Sequence, residues 1–250
     1  PDSVVFGTAP IALAFNQEGV KATIAEGSDK AEISDNVLKI KKPGTVKISL
    51  TVANSKEKSN TQSLKINKRT VTLVEGLTAE AREYNGTTNV TLTKGTLKFA
   101  GKLGPDATNL DLANGFSGVL ADANAGGKKP VKVTATLSGD SADYYTLAPI
   151  TFVTDSVWPK AITITANTIA SSNYGEERTF TVADYSSDLK GDKLNGTLKF
   201  DCAATSTSPE GEYAITPYGL SNPNYAITYK QGKLTVKAIA PTIELVSAEV

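Results

Sequence analysis

Two carboxylates set about 5–10 Å apart across a cleft can cleave a glycosidic bond, and Glu176, Glu177, Glu210 and Glu212 are the acids whose spacing invites that chemistry, with Arg178 beside the first pair. Asp and Glu are common enough in this chain that such pairs arise by chance, and solvated strand faces account for these four without catalysis. Oxygen ligands of the calcium type crowd one loop, at Asp106, Asn109, Asp111 and Asn114. The EF-hand order fails there. Counting from Asn109, Ala113 stands at a ligand position, the glycine comes one place late at Gly115, and Leu120 replaces the closing acid. A polar turn is the expectation. Tyr144, Tyr145, Trp158, Tyr213, Tyr218, Tyr225 and Tyr229 could stack on sugar rings, but aromatics also build small β cores. Trp158, directly before Pro159, is expected to pack in a domain junction. Tyr225, Ile227 and Tyr229 share one strand face, which reads as core.

Nucleophilic chemistry lacks its partners. The chain has no histidine and a single cysteine, Cys202, so Ser-His and Cys-His pairs and zinc sites of the His/Cys type are excluded. Cys202 shares a face with Phe200 and reads as a small buried hydrophobe, with no base to activate it. No Gly-x-Ser-x-Gly elbow is present. Lysine and asparagine are plentiful enough for an internal isopeptide bond, yet nothing marks a pair; an intact mass one ammonia below the calculated value would reveal one. The expectation is therefore a protein that is not an enzyme, with no catalytic residue, no cofactor-binding residue, no metal ligand and no cofactor.

The elements carrying these residues are strands. Val46-Lys47-Ile48-Ser49-Leu50-Thr51-Val52, Val131-Lys132-Val133-Thr134-Ala135-Thr136-Leu137, Ile162-Thr163-Ile164-Thr165-Ala166 and Lys233-Leu234-Thr235-Val236-Lys237 alternate apolar with polar side chains. A period of two puts one face on a core and one in water. Lys42-Pro43-Gly44, Asn114-Gly115, Ala125-Gly126-Gly127 and Gln231-Gly232 punctuate the runs with turns. An all-β or mostly β fold follows. The chain also repeats itself: Gly95-Thr96-Leu97-Lys98-Phe99 returns unchanged as Gly196-Thr197-Leu198-Lys199-Phe200, 101 residues on. An aromatic near a glycine opens each of three units, at Phe6-Gly7, Tyr84-Asn85-Gly86 and Tyr174-Gly175. The division read from this is 1–68, 69–160 and 161–238, with 239–250 a tail or the start of a further repeat. Unit one is expected to be an Ig-like sandwich with Val5, Ile11, Leu13, Val46, Ile48 and Leu50 in its core. The others are expected to be Ig-like or β-grasp-like, with at most a short helix near Ser187-Asp188-Leu189-Lys190. Junctions of one or two residues, one stiffened by Pro159, predict a semi-rigid rod that small-angle scattering would detect.

Bulk composition agrees with folded β modules. Of 250 residues, 40% are hydrophobic and 21% charged, which is globular rather than disordered. Acids and bases cancel at 26 each, so the basic excess of a nucleic-acid binder is missing. No apolar run is long enough for a membrane-spanning helix, so no membrane insertion is expected. Pro1 cannot be a translation start, and the chain reads as a segment of a longer exported protein. Scarce cysteine argues against a disulfide-rich animal domain and for a bacterial one.

Residues 161–238 resemble the MBG repeat of bacterial surface proteins in its tyrosine-glycine (YGX) form. Asn173-Tyr174-Gly175, Gly211-Glu212-Tyr213-Ala214-Ile215, Gly219-Leu220-Ser221-Asn222-Pro223-Asn224-Tyr225-Ala226-Ile227-Thr228-Tyr229 and Gly232-Lys233-Leu234-Thr235-Val236 carry the likeness. Residues 69–160 resemble the YDG repeat through Arg82-Glu83-Tyr84-Asn85-Gly86-Thr87-Thr88, Gly115-Phe116, Ala121-Asp122-Ala123-Asn124-Ala125-Gly126 and Leu137-Ser138-Gly139-Asp140, with Tyr-Asn-Gly replacing Tyr-Asp-Gly. Residues 1–68 resemble a bacterial Ig-like repeat through Phe6-Gly7-Thr8-Ala9-Pro10-Ile11 and Lys42-Pro43-Gly44-Thr45-Val46. Asp140-Ser141-Ala142 and Asp155-Ser156-Val157 look like the short O-glycosylation signal of exported Bacteroidetes proteins. These resemblances imply a monomeric, non-catalytic structural or adhesion module of a secreted or cell-surface adhesin-like protein. Its partners would be neighbouring repeats of the same chain and a protein or glycan ligand, with no nucleic acid. The alternative is a glycan-binding accessory module of a polysaccharide-utilisation system.

Overall fold

The structure is a computed structural model that describes residues 2–52, 60–104, 110–185, 189, 192–240 and 242–243. It is nearly all β, with a short 3-10 turn at Ala142–Tyr144. The first stretch of chain folds into β1 (Ser3–Val5), β2 (Ile11–Ala12), β3 (Val20–Glu26), β4 (Ala31–Ser34), β5 (Val37–Ile40), β6 (Gly44–Val52) and β7 (Asn60–Asn67). The second gives β8 (Arg69–Ala79), β9 (Arg82–Glu83), β10 (Asn89–Val90), β11 (Leu92–Ala100), β12 (Asp111–Leu112), β13 (Ser117–Leu120), β14 (Gly126–Thr134), β15 (Leu137–Ser138), β16 (Tyr145–Leu147) and β17 (Thr154–Trp158). The third gives β18 (Lys160–Ala166), β19 (Ile169–Asn173), β20 (Val182–Tyr185), β21 (Asn195–Asp201), β22 (Gly211–Ser221), β23 (Tyr225–Lys230) and β24 (Gly232–Lys237).

Two compact units form, and they do not follow simple chain order. The first takes residues 1–80, 89–121 and 129–155; the second takes 81–88, 122–128 and 156–250. In the first, sheet β1-β7-β6-β3 faces its own core through Val46, Ile48, Leu64 and Ile66, and sheet β2-β5-β4 contributes Ala31 and Leu38. The alternation in Val46–Ile48 is thus a real inner face. Ile11, Leu13 and Leu50 are half-buried. Val5, expected in this core, is 42% exposed. The period of two explains it: Phe6, one residue on, is buried, so Val4 and Phe6 share the inner face and Val5 takes the outer one. The same unit holds β11-β8-β16, the β12–β15 pair and the ladder of β10, β13 and β14, around Val71, Leu73, Leu77, Phe99, Leu120 and Val131.

The second unit contains β20-β18-β23 and β19-β24-β22-β21. Its core joins Ala166, Ile215, Leu234 and Val236, with Ile169, Phe180, Phe200, Cys202 and Tyr213 packed against them. Ile162 and Ile164 of β18 are buried, as the Ile-Thr-Ile-Thr alternation requires. Of the helix expected near Ser187-Asp188-Leu189-Lys190, only Leu189 lies within the described residues, and it is not helical.

The repeated pentapeptide makes the same local device twice. Ladder register shifts between Lys94 and Lys98 on β11, and between Gly196 and Lys199 on β21. Opposite each bulge stands a partner glycine at positive φ, Gly76 at +98° and Gly219 at +98°. A Cβ on Gly76 would lie 2.2 Å from the Thr96 carbonyl oxygen, and one on Gly219 would lie 2.5 Å from that of Thr197. These threonines are the same residue of the two pentapeptides, so the bulge and its glycine form one unit of structure. The partner strands differ, β8 in one case and β22 in the other.

Candidate functional site

In each of three successive blocks of chain, strands at the start pair in parallel with strands at the end. In residues 3–67, β1 pairs with β7, matching Ser3 to Lys65, Val4 to Ile66 and Val5 to Asn67. In residues 69–158 the first strand, β8, pairs with the penultimate β16, from Arg69–Tyr145 to Val71–Leu147. The second strand, β9, pairs with the last, β17, through Arg82–Val157 and Glu83–Trp158. Residues 160–237 repeat that order: β18 pairs with the penultimate β23 over six partners, Lys160–Tyr225 to Thr165–Lys230, and β19 pairs with the last strand, β24. Parallel pairing needs a crossover, and the body of each block supplies it.

The aromatic–glycine signature closes each of these clamps. The backbone N–H of Phe6 donates to the Asn67 carbonyl at 2.9 Å, that of Tyr84 to Trp158 at 2.8 Å, and that of Tyr174 to Lys237 at 3.2 Å. Each acceptor is the final residue of its block's last strand. The glycines that follow, Gly7, Gly86 and Gly175, have φ of +85°, +75° and +89°. In each case a glycine close behind the aromatic supplies the left-handed conformation, directly after it at Gly7 and Gly175 and two residues on at Gly86.

Two of the three aromatics meet a tyrosine of the next block. Within the first unit, Phe6 is buried and lies edge-on to Tyr145, with ring centroids 5.8 Å apart and planes at 80°. Tyr144 adds a second, tilted contact at 5.0 Å. The Leu103 N–H donates to the Tyr145 hydroxyl at 3.1 Å. Within the second unit, Tyr84 meets Tyr225 in the same way, at 5.5 Å and 77°. Tyr145 and Tyr225 are equivalent: each begins its block's penultimate strand and is the register partner of the block's first strand residue. Edge-to-face pairs at these distances use the opposite signs of ring face and ring edge.

The second seam is also polar. The Tyr84 hydroxyl donates to Asp192 Oδ2 at 2.6 Å, and Tyr225 reaches the same oxygen at 3.1 Å and the Leu189 carbonyl at 2.5 Å. The hydrogen bond to Asp192, then burial, holds the Tyr84 phenol above its ordinary range. Burial, then the bond to Asp192, pushes the Tyr225 phenol up to about 12. Asn224 binds on the other side: its Oδ1 accepts from the Ala125 N–H at 2.9 Å, and its Nδ2 donates to Asn124 Oδ1 at 3.1 Å. Asn222 Oδ1 fixes Asn224 by accepting its N–H at 2.8 Å. A Tyr-Asp-Tyr triad of this kind binds chain to chain, and every donor in it faces an acceptor of the protein itself.

The residues singled out for other chemistry are occupied structurally. Glu176 accepts from the Asn173 N–H at 2.9 Å and from Ser172 Oγ at 3.3 Å, closing the turn that carries Tyr174, and these bonds hold its carboxyl below the usual range. Arg178 donates to Ser172 Oγ and to the Thr205 carbonyl. Glu212 pairs with Lys233 at 2.6 Å on an exposed ladder. Glu177 and Glu210 are exposed. Asp111 pairs with Lys94 at 3.0 Å, Asn114 is exposed, and Asp106 and Asn109 lie outside the described residues. No group of three or more His, Cys, Asp or Glu suited to a metal ion occurs among the described residues. Cys202 is half-buried beside Phe200, as the shared face required. Tyr225, Ile227 and Tyr229 do point inward, and the Tyr229 hydroxyl donates to the Leu220 carbonyl at 2.9 Å. Tyr213 is half-buried, Tyr218 is 45% exposed, and Ser141 is buried, which removes it as a glycan acceptor in the folded chain. Ser156 is half-buried, within β17. Trp158 corrects an expectation: it is 57% exposed rather than packed in a junction. Its backbone carbonyl binds Tyr84, and the buried neighbour on the inner face of β17 is Val157. Asp192 was not legible as part of a site, because nothing local marks a carboxylate that meets a tyrosine 108 residues away.

Family models match this pattern over residues 67–152 and 162–235. The chain carries a YDG domain followed by an MBG domain of the YGX type. The matched residues include both aromatic–glycine turns, Tyr84 and Tyr174, and both seam tyrosines of the later blocks, Tyr145 and Tyr225. No curated protein matches the chain. Among solved structures, Drosophila N-cadherin EC1-3 aligns over 95% of this chain and 98% of its own at 12% identity and a TM-score of 0.24. Surface layer protein SbsC, domains 1–6, aligns over 89% of this chain and 35% of its own at 18% identity and a TM-score of 0.24. The Bacteroides ovatus glucan-locus protein SGBP-B, in complex with a mixed-linkage heptasaccharide, aligns over 94% and 66% at 12% identity and a TM-score of 0.21. Likenesses this distant say nothing of ligand or activity.

Proposed function

We propose that this chain is a non-catalytic structural module of an exported, adhesin-like bacterial surface protein, built to carry tension between the parts it joins. The observation that carries the reading is the parallel pairing of strands at the start of each block with strands at its end: β1 with β7, β8 with β16 and β9 with β17, and β18 with β23 and β19 with β24. Tension enters a block at its first strand and leaves at its last. In residues 3–67 those two strands are parallel neighbours, so the pull runs along them and loads the ladder's hydrogen bonds together in shear; in the later blocks the first strand is tied in parallel to the penultimate and the second to the last, so the pull crosses parallel ladders loaded in the same way. An antiparallel terminal pair would instead open one bond at a time. Support also comes from the YDG and MBG domains and from the use of the acids and tyrosines in turns and seams. No helix among the described residues is long and apolar enough to cross a membrane.

A second reading, glycan-binding accessory module, is favoured by one observation: Trp158 presents more than half of its surface to solvent at the end of β17, where an indole could stack on a sugar ring. A glycan array combined with immobilised matrix proteins separates the two. The tension-bearing reading predicts no saturable binding by the folded chain. A saturable glycan signal that Trp158→Ala abolishes, with the thermal midpoint unchanged, would transfer the function to the second reading.

A further inference from the structure

The third aromatic–glycine turn shares with the other two the N–H bond from its aromatic to the last strand and differs in what covers its ring. Tyr174 follows the second strand of its block as Tyr84 does, its N–H binds the last strand residue, and Gly175 supplies the positive φ. Phe6 and Tyr84 are 6% and 5% exposed, whereas Tyr174 is 48% exposed. The surroundings of Tyr174 are firmly built. Glu176 caps the turn from Asn173, and the Gly175 N–H binds the Ser206 carbonyl at 2.7 Å, fixing a second loop beside the ring. A half-exposed phenol on a turn held by Glu176 and by the Ser206 carbonyl is preorganised for contact.

We propose that Tyr174 is one half of a third aromatic seam, and that its partner is a further β block joined after Ala238. The two filled seams define that partner. In both, the covering ring is the tyrosine that opens the next block's penultimate strand, and the next block begins after a one-residue junction: Lys68 between Asn67 and Arg69, Pro159 between Trp158 and Lys160. Ala238 occupies the corresponding place after Lys237, which makes Ile239 the first strand position of the incoming block. Ile239 is 56% exposed in the present chain. Because Tyr174 keeps a hydroxyl, its seam follows the Tyr84 pattern rather than that of Phe6. The partner must therefore bring a carboxylate as well as a ring, in the role that Asp192 plays for Tyr84. A second copy of the chain docking from outside fits less well, since both filled seams are made by the directly following stretch of the same chain. The inference rests on the reading of the chain as tandem blocks, and its test is independent of how those blocks bear load.

Tyrosine nitration followed by mass spectrometry tests it. In the present chain Tyr174 should nitrate at a rate close to that of exposed Tyr218, while buried Tyr84 and Tyr225 react slowly. With residues 239–250 replaced by a second copy of residues 160–238, the Tyr174 rate should fall several-fold toward that of Tyr84. Tyr174→Ala should then lower the thermal midpoint of the extended chain and leave the unextended chain unchanged. A second extension, carrying residues 69–160, offers Tyr145 as the covering ring and keeps the test open should the first added block misfold. Tyr174 remaining as reactive as Tyr218 in an extended chain whose added block is folded, with its own seam tyrosine protected, would overturn the proposal. Protection of Tyr174 in the unextended chain that grows with protein concentration would overturn it in favour of a second copy.

Discussion

At the scale of residues, the tyrosine–carboxylate triad makes the sharpest predictions. Tyr84→Phe keeps the ring against Tyr225 and deletes the donor to Asp192, so unfolding monitored in urea should show a loss of about 1.5–3 kcal/mol, the worth of a hydrogen bond to a charged group. Tyr84→Ala also empties the seam and should cost about 3–5 kcal/mol. Both phenols titrate later in the folded chain than in the unfolded one. A raised folded pKa means that the folded state holds its proton more tightly. The stabilisation is therefore complete below the ordinary tyrosine value of 10.0 and is lost as pH rises from there toward about 12. Thermal midpoints of the native chain should fall across that window, and Tyr84→Phe should fall less steeply. Glu176 works in the opposite sense. Its carboxyl is held low, so its contribution is complete above the ordinary value of 4.5 and disappears as pH falls through the lower folded value. The sequence displayed the aromatic–glycine turns openly, because glycine at positive φ recurs at a recognisable place. It concealed Asp192, whose partners come from distant strands.

At the scale of elements, the bulge built by the repeated pentapeptide is a point of fixed geometry. Gly219→Ala would put a Cβ 2.5 Å from the Thr197 carbonyl oxygen at a φ of +98°, so the β21–β22 ladder must shift. A destabilisation of about 2–3 kcal/mol is expected, within the range of backbone strain at such positions, and urea unfolding would measure it. Strands were legible from alternation: Val46 and Ile48, Ile162 and Ile164, and Leu234 and Val236 all face inward as their spacing requires. Pairing direction was not legible. Parallel strands usually read as continuous apolar runs because both faces are covered. β18 alternates instead, with outer residues such as Ala161 left exposed, so its pattern resembles that of an antiparallel strand. Val5 shows the smaller failure, an alternation placed one residue out of phase at a short strand whose inner face is settled by Phe6.

At the scale of the molecule, the family matches and the compact units are two different divisions of one chain. Residues 81–88 and 122–128 lie inside the YDG match, yet they belong to the compact unit that contains the MBG domain. The sequence revealed the domain kinds through turn and strand motifs. It did not reveal this sharing, which depends on Tyr84, Asn124 and Asn224 meeting across about a hundred residues. The central claim, that parallel ladders between the strands at the start and at the end of each block make it resist tension, is tested most directly by pulling one block in two directions. In a Cys202→Ala background, cysteine handles at Ala161 and Lys230 load the β18–β23 pair at opposite ends, along the strands. Handles at Ala161 and Pro223 load the same pair at one end, across the strands. Single-molecule force spectroscopy should find that the first geometry needs a several-fold higher unfolding force than the second. Equal forces in the two directions would contradict the account.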